Sequence, residues 1–65
     1  MKTYKVSLFY NIGNLPELLI PENLSPDEVI VFSTYETHYP AIEKEAFRYS
    51  KSSPIRYSAK VELLH

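Results

Sequence analysis

Apolar and polar residues alternate in two segments, one near each end of the chain. In residues 3–10 one side of the alternation carries the apolar residues Tyr4, Val6, Leu8 and Tyr10. In residues 55–63 it carries Ile55, Tyr57, Ala59, Val61 and Leu63. A period of two with β-branched and aromatic residues is typical of half-buried strands. The pattern therefore predicts a strand in each segment, with these side chains turned toward the core.

The longest apolar run, residues 29–32, reads VIVF and predicts a third strand that extends toward residue 36. Because the run is apolar on both faces, we expect a central or well-covered strand. Residues 25–28 (SPDE) also match a helix capping box. A helix over residues 26–37 is therefore the main structural alternative.

A helix is predicted after this strand, because apolar residues recur there at helical spacing. Tyr39, Ile42, Ala46 and Tyr49 form one stripe. Thr37 is a candidate N-cap, and Pro40 is tolerated in the first turn. Residues 52–54 (SSP) are expected to end the helix.

The segment 11–28 connects the first two strands and contains Pro16, Pro21 and Pro26. A proline in a helix interior is costly, so no long helix is expected here. The segment is nevertheless rich in leucine. We predict an ordered connection with one helical turn at residues 16–19, whose leucines cover an end or edge of the core.

Together these elements predict a single small α+β domain over residues 1–65, in the order β-loop-β-α-β. One helix packs on one face of a three-stranded sheet. A β-α-β unit within one sheet makes the second and third strands parallel. The first strand is then expected antiparallel, between them or beside them.

Composition excludes several classes of function. The chain has no cysteine and one glycine, so disulfides, cysteine-based zinc sites and glycine-rich phosphate loops are absent. No apolar run reaches the ~18 residues of a membrane span. We expect a cytoplasmic protein that has no cofactor and does not insert into a membrane.

Charge is distributed unevenly although the net charge is −1. Residues 1–10 carry two lysines, residues 11–43 carry six acidic and no basic residues, and residues 44–65 carry five basic and two acidic residues. The blocks therefore sum to +2, −6 and +3. Either they neutralise each other in the fold, or an acidic patch faces a basic partner.

Catalysis would have to centre on His38, with Glu36 and Tyr35 as neighbours and Arg56 or Lys60 stabilising charge. This arrangement would form a small ribonuclease-like site, which is the least favoured of the three functional hypotheses considered. A general base needs its reacting partner within hydrogen-bonding reach, and a lone histidine before a helix is usually ordinary surface. His38 and Glu36 are too few to hold a metal. We predict neither catalytic residues nor a metal site.

Nucleic-acid binding is the main alternative. Lys5, Phe9, Arg56 and Lys60 are predicted on the uncovered face of the sheet, where Phe9 could stack on a base. A solvated sheet face has the same composition, and the net negative charge disfavours this hypothesis.

Protein binding is the favoured hypothesis. Six tyrosines are many for 65 residues, and tyrosine is enriched at interfaces. The candidate surface, called the joint surface below, surrounds the strand–helix connection and consists of Tyr35, Glu36, His38, Tyr39, Glu43 and Phe47. We predict a non-enzymatic regulator or inhibitor of a protein partner, as a homodimer. In size and layout the chain resembles the small regulators and inhibitors of phages and mobile elements.

Overall fold

The structure is a computed structural model that describes residues 1–65. It confirms the small α+β fold, with one helix and a three-stranded antiparallel sheet. The elements are β1 (Lys2–Phe9), a 3₁₀ turn (Glu17–Leu19), β2 (Glu28–Thr34), α1 (Tyr39–Phe47) and β3 (Ser58–Leu63). The helical turn predicted within residues 16–19 is thus present, and the segment after residue 28 is a strand rather than a helix.

The strand order is β2-β1-β3, and β1 is antiparallel to both neighbours. β2 and β3 are therefore parallel to each other, as expected, and β1 lies between them. β2 was expected to be central or well covered, and this prediction is wrong. It is an edge strand whose Val29 and Val31 side chains are about half exposed, because α1 covers only one face of the sheet. The register places Val6 opposite Ile30 on one side and opposite Val61 on the other. Because directly opposed residues share a face, this register also defines the two faces of the sheet.

The core lies between α1 and one face of the sheet. Ile42 and Ala46, from the middle of the predicted helical stripe, are completely buried. They pack in one cluster with the inward residues of the strands, which are Tyr4, Val6, Leu8, Ile30 and Ala59. The outer members of the stripe, Tyr39 and Tyr49, are about half exposed.

The opposite face is covered at one end only. Phe9 and Ile20 are buried there but lie outside the main cluster. Ser58, which pairs with Phe9, donates a hydrogen bond to the Gly13 carbonyl oxygen and accepts one from the Leu15 N–H. The connection between β1 and β2 therefore folds over this end of the sheet.

The start of β3 and the burial of several apolar side chains also differ from the predictions. β3 begins at Ser58, because β1 ends at its partner Phe9, so residues 55–57 find no strand to pair with. Ile55, expected in the core, is almost wholly exposed. Leu18 and Leu19, which were expected to cover the core, are also exposed. The 3₁₀ turn buries none of its side chains, and the following residue, Ile20, is buried instead.

Both ends of α1 also differ from expectation. The N-cap is His38 rather than Thr37, and its side chain makes no capping hydrogen bond. The helix ends at Phe47, where the following N–H groups bond three residues back instead of four. The residues after the helix bind to Glu28 in β2, whose carboxylate accepts hydrogen bonds from the Ser50 hydroxyl and the Lys51 N–H. At nine residues, α1 is too short to cross a bilayer, and no other helix could do so.

Candidate functional site

The connection between β2 and α1 is held by hydrogen bonds to the end of β2 and to the helix. The Glu36 N–H donates to Thr34 Oγ1 (3.1 Å), and the Thr34 hydroxyl donates to Glu45 Oε1 (3.0 Å). The connection is thereby tied both to the end of β2 and to the helix. These bonds order the backbone from which the side chains of the connection project.

The Glu36 carboxylate closes this turn. Its Oε1 accepts hydrogen bonds from the backbone N–H groups of Thr37 (3.0 Å) and His38 (3.1 Å). These bonds, that of His38 first, hold the pKa of Glu36 below its usual range because they stabilise the ionised form. The carboxylate therefore organises the backbone ahead of α1, and the His38 side chain lies exposed beside it.

Two exposed tyrosines flank this ordered turn, Tyr35 after the end of β2 and Tyr39 at the start of α1. Tyr35 is 79% exposed and Tyr39 is 47% exposed. Tyr39 is held from below, because its ring packs against the buried Tyr4 ring, edge to face, with centroids 6.2 Å apart. Tyr35 presents about four-fifths of its surface to solvent.

A groove of about 530 Å³ runs beside Tyr39, between α1 and the 3₁₀ turn. Its walls and floor are formed by Asn14, Leu15, Pro16, Glu17, Tyr39, Pro40, Glu43, Ala59 and Val61. Glu17 is anchored in place, since its Oε1 accepts a hydrogen bond from the Val61 N–H (2.9 Å). Glu43 approaches from the helix side, so the groove holds two carboxylates and an aromatic ring.

The carboxylates of the acidic segment are not neutralised by pairing with lysine or arginine side chains. Their hydrogen-bond donors are backbone N–H groups and hydroxyls, as seen for Glu17, Asp27, Glu28 and Glu36. The Glu43 carboxylate has no hydrogen-bond donor of this kind. Partial burial and then the charge of Glu17 raise its pKa, and no donor offsets these effects.

Replacing Glu43 with glutamine should therefore stabilise the fold near neutral pH. The folded-state pKa lies above the unfolded one, so ionisation of Glu43 opposes folding at neutral pH. That penalty disappears as the pH falls below the unfolded value of about 4.3. We expect a rise of at most a few degrees in the melting temperature at pH 7, because the side chain is partly solvated, and no gain near pH 3.

Thermal denaturation followed by circular dichroism, at both pH values, measures this effect. Glu22→Gln, an exposed site in the connection between β1 and β2, is the matched control and should change little at either pH. An equal rise for Glu43→Gln at pH 3 and pH 7 would contradict the electrostatic explanation.

Phe47 lies at the far end of the joint surface. Tyr39, Glu43 and Phe47 are four residues apart and so share one side of α1. The Phe47 ring stacks on the Tyr57 ring, with centroids 4.8 Å apart and planes 13° apart. Burial, and then the charge of Glu43, raises the pKa of Tyr57. One face of Phe47 is thus already covered within the chain, while the Tyr35–Tyr39 end remains open.

The residues proposed for nucleic-acid binding are only partly brought together. Lys5 and Lys60 share the face opposite α1, as expected from the register. The Lys60 Nζ lies 5.8 Å from the centre of the Phe9 ring, but that ring is only 2% exposed. Phe9 therefore offers no free face to a base. Arg56 lies before β3, in an exposed bend.

The catalytic constellation around His38 is not assembled either. His38 precedes α1 near Tyr4, at the end of the sheet where Tyr4 pairs with Leu63. Arg56 lies beyond the opposite end of β3, and Lys60 projects from the opposite face. No three His, Asp or Glu side chains are grouped closely enough to hold a metal ion.

The groove is the feature that sequence reasoning missed. Glu17, Ala59 and Val61 lie far from Tyr39 in the chain, and their contacts depend on how the connection between β1 and β2 packs against β3. Only the leucine-rich composition of residues 11–28 indicated an ordered connection there. Comparison with protein-family models, curated proteins and solved structures finds no match to this chain.

Proposed function

We propose that this protein is a non-enzymatic binding protein of the cytoplasm, which regulates or inhibits a protein partner through the Tyr35–Tyr39 end of the joint surface. The observation that carries the proposal is the exposure of Tyr35 and Tyr39 on a turn fixed by the Glu36 carboxylate. An exposed aromatic ring on a rigid turn binds with little loss of conformational freedom. Such rings are the usual anchors of protein interfaces.

The groove beside Tyr39 indicates the chemistry of the partner. Glu17 and Glu43 both line it, and the charge of Glu17 contributes to the raised pKa of Glu43. A lysine or arginine of the partner, inserted next to the Tyr39 ring, would remove their repulsion and contact the ring face. We therefore propose a partner that presents a basic side chain beside an apolar contact for Tyr35.

Affinity capture from an extract of the source organism tests this proposal. The immobilised wild-type protein is compared with Tyr35→Ala and Tyr39→Ala, and with Tyr49→Ala as the matched control. Tyr49 is as exposed as Tyr39 but lies beyond the other end of α1. We expect Tyr35→Ala and Tyr39→Ala to lower the affinity for the partner by at least about tenfold, as is usual for an anchor residue. Tyr49→Ala should capture the partner as the wild-type protein does.

Equal capture by all four proteins would contradict the proposed surface. Binding of the wild-type protein to oligonucleotides that weakens steeply with added salt would instead support the nucleic-acid alternative. In that case Lys5→Ala and Lys60→Ala should weaken binding, whereas Tyr35→Ala should not.

A further inference from the structure

The two edges of the sheet differ in how they are covered. At the β3 edge, the Val61 N–H points outward and donates to Glu17, and the 3₁₀ turn packs alongside. β2 forms the other edge. No turn or loop hydrogen bond reaches its residues Val29, Val31 and Ser33.

The register shows which backbone groups of β2 point outward. In an antiparallel pair, successive residues of a strand direct their N–H and C=O groups to opposite sides. The Thr3 carbonyl oxygen accepts the Leu64 N–H (2.8 Å), so the odd-numbered residues of β1 bond toward β3. Its even-numbered residues therefore bond toward β2. Since Val6 pairs with Ile30, the outward groups of β2 are those of Val29, Val31 and Ser33.

This edge lacks the features that normally prevent strand pairing. Natural edges carry charged side chains, prolines or bulges, whereas residues 29–34 (VIVFST) contain no charge and no proline. The pairing of β1 with β2 is continuous from Leu8↔Glu28 to Lys2↔Thr34, without a bulge. Val31 is 57% exposed and Val29 nearly as much, both on the face turned away from α1.

We propose that β2 pairs with β2 of a second copy, antiparallel and centred on Val31, so that one sheet runs through the dimer. In this register Val31 lies opposite the partner's Val31, and every outward N–H of both strands meets a carbonyl oxygen. This interface specifies the self-association predicted from the sequence and does not depend on the identity of the protein partner.

The edge is complementary to itself in side chains as well as in backbone. On the face away from α1, Val29 meets a serine at position 33 of the second copy. On the α1 face, Ile30 meets a phenylalanine at position 32. The nearest acidic residue, Glu28, falls opposite a threonine at position 34. No like charges are opposed, so the pairing has no electrostatic penalty of the kind that opposed charges impose.

The test measures mass and interface together. Light scattering after size-exclusion chromatography should give twice the chain mass of 7.6 kDa for the wild-type protein at micromolar concentrations. Val31→Lys opposes two cations at the centre of the interface and should return the mass to that of one chain. Val31→Thr, which keeps a β-branched neutral side chain, is the matched control and should remain dimeric. Circular dichroism verifies that each variant is folded.

Crosslinking provides an independent readout, because the chain has no cysteine. In the proposed register Val31 forms a hydrogen-bonded pair with the Val31 of the second copy. The Cα atoms of such a pair lie about 5.5 Å apart, within the range of disulfides of about 4.4–6.8 Å. Val31→Cys should therefore form a covalent dimer on mild oxidation. Lys44→Cys, on the exposed side of α1, should not.

A monomeric wild-type protein would overturn the inference. So would a dimer that survives Val31→Lys and does not crosslink through Val31→Cys, because its interface would lie elsewhere. Tyr35→Ala should leave the mass unchanged. Loss of partner capture in that variant and loss of the dimer in Val31→Lys therefore test the two proposals separately.

Discussion

Leu8→Ala should leave the protein largely unfolded at room temperature. Leu8 has 0% exposure and lies in the central strand, within the cluster that joins the sheet to α1. Truncation of a buried leucine costs about 2–5 kcal/mol. A domain of this size rarely has more than about 3–5 kcal/mol of stability in total. One substitution should therefore remove most of the free energy of unfolding.

Urea titration followed by circular dichroism measures this effect, with both proteins at one chain concentration because self-association adds to apparent stability. Leu18→Ala is the matched control. It removes the same atoms from a side chain that is 95% exposed, and should change the free energy of unfolding by no more than about 0.5 kcal/mol. Equal effects of the two substitutions would show that the core is not where the structure places it.

Ser58→Ala should have the second-largest effect, about 1–3 kcal/mol. The Ser58 side chain is 1% exposed, and its hydroxyl joins two backbone groups of the connection between β1 and β2. It donates to the Gly13 carbonyl oxygen (2.7 Å) and accepts from the Leu15 N–H (2.8 Å). Alanine would leave both half-buried groups without a partner within the chain. It would also loosen Leu15, which forms part of the groove wall.

Two measurements separate these consequences. Urea titration reports the loss of stability, and amide hydrogen exchange should show faster exchange of the Leu15 N–H. Ser7→Ala is the control, because Ser7 lies in β1 on the same face and makes no side-chain hydrogen bond comparable to those of Ser58. If the Leu15 N–H exchanges at the wild-type rate in Ser58→Ala, the connection is held by other contacts.

Local patterns in the sequence were sufficient for the elements themselves. The alternation over residues 3–10 and the helical stripe of Ile42 and Ala46 predicted the central strand and the helix, because each residue's environment there depends on neighbours two to four positions away. The parallel arrangement of β2 and β3 followed from the rules of strand connection. The prediction for residues 55–63 was less accurate at its beginning. Its alternation continues past the point where β1 can supply hydrogen bonds.

The joint surface was predictable only in part. Tyr35 and Tyr39 were predicted to lie together because they flank one short turn. The role of Glu36, whose carboxylate binds the N–H groups of Thr37 and His38, could not be read from composition. A carboxylate in that position could equally have faced solvent. Leu18 and Leu19 were predicted to cover the core because they are apolar, but both are exposed. Apolar character alone therefore did not predict burial in this connection.

The sequence by itself thus left open which strand is central, but it determined the fold class and the clustering of aromatic residues at the strand–helix connection. These follow from periodicity and from short-range connection rules. Only the tertiary structure decided that Glu17 and Glu43 face each other across a groove, that Phe9 is buried, and that the β2 edge is open while the β3 edge is covered. Each of these depends on contacts between residues far apart in the chain, which no local pattern records. The groove and the covered β3 edge come from the way the proline-rich connection packs against β3.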